Sequence, residues 1–225
     1  MDCEKRSRWL TLFEVTSVSV LLLVHLWCIQ RWLHSRIAVI SIPVLIGMIM
    51  VAAFARRRES LRSAGVEPRQ LTSGWRSMIA FTAIGFVALV ISGLIWGHLS
   101  VSKADLKWAS EYVPCLIGQQ LALQVFLNNR LYMLGTGLSE SKRLWLAVFA
   151  SAFIFALLHF PNPWLVLSVV PAAIFWTWHF RIHENLAAAI AGHLILGVSA
   201  MLTLGNGPLI RLSVGWPAWV KMMGY

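Results

Sequence analysis

Six polar residues in the second half of the chain sit among apolar neighbours. Gln119, Gln120, Gln124 and Asn128 fall in one run, Glu111-Tyr-Val-Pro-Cys-Leu-Ile-Gly-Gln119-Gln120-Leu-Ala-Leu-Gln124-Val-Phe-Leu-Asn128. His159 ends the run Phe155-Ala-Leu-Leu-His159, and His193 lies inside Ala191-Gly192-His193-Leu-Ile-Leu-Gly197. Imidazole accepts a proton near neutral pH. Amides can hold a water, and they can polarise a carbonyl by donating hydrogen bonds. On a helix, Gln120, Gln124 and Asn128 form a stripe at i, i+4, i+8, and Cys115 stacks on Gln119 at i, i+4. Taken alone, the stripe reads as hydrogen bonding between helices, worth about 0.6–2 kcal/mol per contact. Two histidines in runs near a glutamine-rich helix point further, to a shared polar cavity. His179 and His183 are also i, i+4 apart, but no third ligand stands at a suggestive spacing, so no metal is expected.

These residues need a membrane around them. Of 225 residues, 58% are hydrophobic and 12% are charged, about half the ~25% usual for soluble domains; the mean hydropathy is +0.71. That composition excludes a water-soluble globular enzyme, a disordered chain and a collagen-like chain. The expected fold is all-α, a polytopic transmembrane helical bundle. A bilayer core takes about 20 apolar residues per helix. About seven spans are predicted, at 10–32, 37–55, 77–98, 112–134, 144–160, 163–180 and 186–204. The first is read as an uncleaved span, too long for a signal-peptide core. Pro161-Asn162-Pro163 reads as a tight turn, and Pro171 should kink the sixth span.

Three regions follow: an N-terminal membrane region, 1–110, with three spans; a core, 111–204, with four; and an interfacial tail, 205–225, in which a partial eighth helix is left open. The 19 Lys and Arg outnumber the nine Asp and Glu, giving a net charge of +10. Arg56, Arg57, Arg58, Arg62, Arg69 and Arg76 fall together in the 56–76 loop. By the positive-inside rule this loop is cytoplasmic and touches lipid headgroups, with the N-terminus inside and the protein in the plasma or inner membrane. Nucleic acid is not an expected partner.

In order and spacing, the polar stations resemble the CPBP family, the CAAX-type prenyl endopeptidases and bacteriocin-processing membrane proteins also called Abi. That family carries Glu-Glu-x-x-x-Arg in one span, Phe-x-x-x-His in the next and His-x-x-x-Asn or His-x-x-x-Asp in a later one. Phe155 and His159 match the second motif in full. His193 matches the third, with Gly197 where Asn or Asp is expected. Gln119 and Gln120 stand in the places of the two Glu, and Gln124 in that of the Arg. The match covers roughly residues 110–200.

The resemblance implies an endopeptidase that hydrolyses peptide bonds of membrane-associated, lipidated or sorted proteins. In the family the first Glu and the Phe-x-x-x-His histidine activate a water, and the later His and Asn steady the oxyanion. The site so implied is His159, His193, Gln119, Gln120 and Gln124, with no cofactor. The departure is chemical: Gln is nearly isosteric with Glu but is no general base at neutral pH. Glu111 lies about 12 Å of helix rise before Gln119, and Glu184 lies at the start of the seventh span.

Two readings of the site remain. His159 acts alone as base, Gln119 or Gln120 positions the water, and Gln120, Gln124 and His193 polarise. Alternatively the fold is kept, hydrolysis is lost, and the cavity binds a peptide or a partner protein. A Cys115–His159 thiol pair is a third arrangement. Outside this family, a small transporter or a structural scaffold would also use intramembrane amides and histidines. No inverted repeat is evident in the chain to support a transporter.

Overall fold

The computed structural model describes residues 3–32, 36–96 and 103–224. Among the described residues all regular structure is helical. Helix α1 covers Cys3–Val24 and continues through a π-helical stretch, His25–Ile29, to Gln30–Trp32. Next come α2 (Arg36–Arg56) and α3 (Trp75–Trp96). Helix α4 begins as Lys103–Gln120, widens into a π-helix over Leu121–Asn128 and closes as Asn129–Leu134. Then follow α5 (Glu140–Leu157), α6 (Pro163–His183), α7 (Leu186–Leu204) and a short α8 (Gly215–Met222).

Seven of these helices stand where the seven apolar segments were read. Among the described residues, four helices are long and apolar enough to cross a membrane: Ser7–Trp32, Trp75–Trp96, Pro163–His183 and Leu186–Leu204. The apolar part of α2, Ile40–Arg56, is shorter. Helix α5 opens on Glu140, Lys142 and Arg143, which shortens its apolar stretch. Helix α4 starts earlier than expected and carries Lys103, Asp105, Lys107 and Glu111 in its first half. The tail, read as interfacial, contains α8. Helix α6 runs through Pro171 without a break.

Local chemistry sets the ends that matter. Asn162 caps α6, its Oδ1 accepting from the Leu165 N–H at 3.1 Å, with Pro163 at the first helical position; proline suits that position because its missing N–H has no intrahelical partner there. Asn185 caps α7 in the same way through the Ala188 N–H at 2.9 Å. Between these helices Glu184 turns left-handed at φ +46°.

Helix α4 is the axis of the bundle. Every residue from Leu123 to Leu131 is buried. One apolar cluster joins it to α1 and α2 through Val15, Val18, Ile46, Phe126 and Leu127. A second joins it to α3, α5, α6 and α7 through Met78, Leu123, Phe155, Trp176 and Leu196. Helix α3 pairs with α7, and α5 with α6. Phe13, Met48, Ile79, Ile95 and Phe153 point outward and are exposed, as side chains facing lipid do.

The two ends of the bundle differ in charge. At one end the 56–76 loop docks on the α6–α7 turn: Arg62 pairs with Glu184 at 3.3 Å, and Gln70 donates to the same carboxylate at 2.7 Å. Gly65, at φ +70°, lies so close that a Cβ would come within 2.7 Å of the Glu184 carbonyl. Asn129 donates to the Ser63 carbonyl at 2.9 Å, and Arg8 reaches the Thr136 carbonyl. At the other end the 158–163 turn meets the tail: the Gly215 N–H donates to the Phe160 carbonyl at 3.0 Å, and Asn162 donates to the Leu209 carbonyl at 2.8 Å.

Candidate functional site

About three turns of α4 present one face to a cavity of about 470 Å³. Trp108, Tyr112, Cys115 and Gln119 line it at helical spacing. His159, from the turn after α5, and His193, from the middle of α7, close the polar side. The remaining walls come from α3, α6, α7 and the tail and are apolar except for Ser168. Among the described residues lining this cavity there is no acid.

The structure brings all five sequence-predicted residues into one region but divides them between two layers. Gln119 is half-buried and faces the cavity, its Nε2 donating to Cys115 Sγ at 3.4 Å. Gln120 and Gln124 are fully buried and do not line the cavity. They belong to a hydrogen-bond ladder behind it. Asn128 Nδ2 donates to the Thr177 carbonyl at 3.0 Å and to Gln124 Oε1 at 3.4 Å. Gln124 Nε2 donates to Gln120 Oε1 at 3.1 Å. Gln120 Nε2 then meets His193 Nδ1 at 2.8 Å, and His193 Nε2 meets the Tyr112 hydroxyl at 3.1 Å.

The direction of this chain is fixed at its base. A backbone carbonyl only accepts, so Asn128 must turn its NH2 group to Thr177 and to Gln124. Each amide above then presents its oxygen downward and its nitrogen upward. His193 Nδ1 therefore accepts, the imidazole proton is on Nε2, and Nε2–H donates to Tyr112. The Tyr112 hydrogen is left free to donate. Trp176 packs against His193 with centroids 4.4 Å apart and planes tilted by 31°, which restricts the imidazole ring.

His159 has the opposite tautomer. Its Nδ1 lies 2.7 Å from the Phe155 carbonyl, which only accepts, so Nδ1 holds the proton and Nε2 holds the lone pair. The spacing Phe-x-x-x-His supplies this bond directly, because residue i+4 on a helix reaches back to the carbonyl of residue i. Phe155 also touches both imidazoles edge-on, at 4.7 Å from His159 and 6.0 Å from His193 between centroids. It is the spacer that sets them apart.

Other polar groups are employed elsewhere. Glu184 is held by Arg62 and Gln70 in the loop contact. The Glu111 side chain lies outside the described residues. His179 Nε2 bonds the Gly74 carbonyl at 2.9 Å and His183 Nδ1 bonds Ser73 Oγ at 3.1 Å; both fasten the 56–76 loop to α6. Among the described residues no cluster of metal-ligating side chains occurs.

Two features escaped the sequence reading. Tyr112 was not singled out, although 108, 112, 115 and 119 follow the i, i+4, i+7, i+11 pattern of one helix face. Glu14 and Arg130 pair at 2.8 Å, with exposures of 4% and 1%. Glu59, Arg56 and Arg57 join them. Nothing in the local sequence signals that pairing, because its members come from three distant helices.

The fold and site define an α-helical integral membrane protein with a buried polar centre beside an apolar cavity. Residues 117–198, a little over a third of the chain, match the family model described as type II CAAX prenyl endopeptidase Rce1-like. The match agrees with the CPBP resemblance carried by the motifs and includes Gln119, Gln120, Gln124, Phe155, His159, His193 and Gly197. No curated protein and no solved structure matches the chain.

Proposed function

We propose that the cavity is the hydrolytic site of a CPBP-type intramembrane endopeptidase, acting on a peptide segment of a membrane-associated or lipidated protein. The observation that carries this reading is the tautomer of His159. A neutral imidazole whose Nδ1–H is tied to a carbonyl directs a basic Nε2 to a cavity that also holds amide and phenol groups. His159 Nε2 takes a proton from water as the water oxygen bonds to the scissile carbonyl carbon. When the C–N bond breaks, the imidazolium returns that proton to the leaving amine, giving a carboxylic acid and an amine. Gln119, facing the cavity, positions the water. Gln120 and Gln124 act on His193 and are positioning residues.

A second reading rests on one observation, the lack of any acid among the described cavity residues. In it the cavity binds a peptide or a partner protein and does not cut. The division into a membrane region 1–110, a catalytic core 111–204 and a tail 205–225 belongs to the same proposal. So do seven crossings with the basic end in the cytoplasm, against anionic headgroups.

The test is cleavage of a membrane-embedded peptide library by the purified protein in lipid vesicles. Wild-type cleavage that disappears in His159→Ala supports the histidine base. No wild-type cleavage, with cleavage gained in Gln119→Glu, supports the binding reading and overturns the first. Solute flux without cleavage would favour a transporter over both.

A further inference from the structure

Gly197 and Tyr112 fit each other as a pair. A Cβ built on Gly197 would lie 2.6 Å from the Tyr112 hydroxyl oxygen and 2.8 Å from its Cε1. No side chain fits at 197 while the tyrosine is in place, so the phenol fills the space that a side chain at 197 would take. The phenol is held there by two contacts. Its ring stacks on Trp108 with centroids 4.6 Å apart and planes 16° from parallel. Its hydroxyl is bonded by His193 at 3.1 Å. Behind His193 the ladder from the Thr177 carbonyl permits only an Nε2–H donor.

We propose that Tyr112 is the hydrogen-bond donor for the carbonyl oxygen of the bound peptide, doing from α4 what an amide side chain at position 197 could do from α7. This rests on the hydrolytic reading of the cavity. Tyr112 lines the cavity that His159 and Gln119 also line. Its oxygen receives the His193 proton as a hydrogen bond, so its own O–H is directed away from His193. Receiving one hydrogen bond also makes the phenol a better donor of the next, since bonds in a chain polarise one another. As water adds and the carbonyl oxygen becomes negative, Tyr112 O–H donates to it. No proton leaves the tyrosine, and the proton lost by water is on His159. The ladder's role is to keep His193 from presenting a lone pair to Tyr112, which would turn the O–H back into the protein.

The experiment combines peptide cleavage in vesicles with 15N NMR of ring-labelled histidine in the same full-length protein. Tyr112→Phe keeps the ring stack and removes only the donor. Its kcat should fall about 100-fold or more, the usual cost of losing one oxyanion donor, with KM little changed and His193 still protonated on Nε2. Gly197→Asn alone should lose activity by displacing the phenol. The swap Tyr112→Ala/Gly197→Asn should regain at least about tenfold over Tyr112→Ala, because the new amide has both the space and a donor.

A wild-type enzyme whose Tyr112→Phe variant cleaves at the parental rate overturns the proposal and leaves the hydrolytic reading standing. His193 protonated on Nδ1 in wild type also overturns it. A wild type that cleaves nothing, with His193 on Nε2, removes the hydrolytic reading first and this role with it.

Discussion

Gln119 and Gln120 are neighbours in the chain, yet the fold gives them different work. Gln119 is half-buried and looks into the cavity; Gln120 has no exposure and serves His193. The consequence for substitution is specific. A carboxylate at 119 would add a base beside the water and give up only the contact with Cys115 Sγ. A carboxylate at 120 has no hydrogen to give His193 Nδ1, so the imidazole must put its proton there and reverse its bond with Tyr112. Gln119→Glu should therefore raise peptide cleavage, whereas Gln120→Glu should abolish it; equal effects at the two positions would contradict the layered arrangement. For stability, too, position 120 is the sensitive one. Gln120→Met leaves His193 Nδ1 and the Gln124 amide unsatisfied in a closed space, a cost of about 1–3 kcal/mol. Gln119→Met should cost well under half of that, as read by chemical unfolding in detergent.

Helix α4 shows how much of an element can be legible and how much cannot. Its polar stripe was readable because i, i+4 spacing needs no tertiary information. The π-helical stretch Leu121–Asn128 was not, since a wider turn leaves no fixed residue pattern. Nor did the sequence say that this helix would be central. Burial of every residue from Leu123 to Leu131 comes from neighbours supplied by the whole chain. By contrast α7 was read at its observed bounds, 186–204, because Asn185 caps it and the apolar run has clear edges. The buried ion cluster belongs to the illegible part. Arg130 on α4 reaches Glu14 on α1 and Glu59 after α2, and its guanidinium also lies 5.1 Å from the Phe126 ring centroid.

Such a cluster is balanced only while complete. Removing one partner of a buried pair leaves an uncompensated charge, which costs about 3–5 kcal/mol. Glu14→Gln should thus lower detergent stability by that order. Glu140→Gln, which removes the exposed partner of Tyr132, should change it by about 0.5 kcal/mol or less. Similar losses in both would show that α1 and α4 are not joined by this cluster.

At the scale of the whole molecule, the arginine-rich 56–76 loop and the mouth of the cavity occupy opposite ends. Arg62, Arg130, Arg143 and Arg181 gather with the 56–76 loop, through contacts to Glu184, Glu14, the Tyr132 carbonyl and Asn129. The cavity instead reaches the end formed by His159, Leu209, Leu212 and Val214. The even number of helices between successive basic segments is what the sequence offers for this separation: the 56–76 loop, the 135–143 loop and the 181–185 turn each follow a pair of helices. Under the positive-inside rule the proposed orientation puts this end in the cytoplasm, and labelling tests it. With the native cysteines replaced, Arg69→Cys should react with a membrane-impermeant maleimide only after the cells are permeabilised. Asn206→Cys, exposed at the far end, should react in intact cells. Restoring Cys115 alone tests the cavity, because its thiol lines the wall beside Gln119. A small charged thiosulfonate should reach it from outside, and a peptide that fills the cavity should protect it. Labelling of positions 69 and 206 from one side would break the two-ended arrangement. Labelling of Cys115 only from the cytoplasm would leave the ends in place but require the substrate to enter past the arginines.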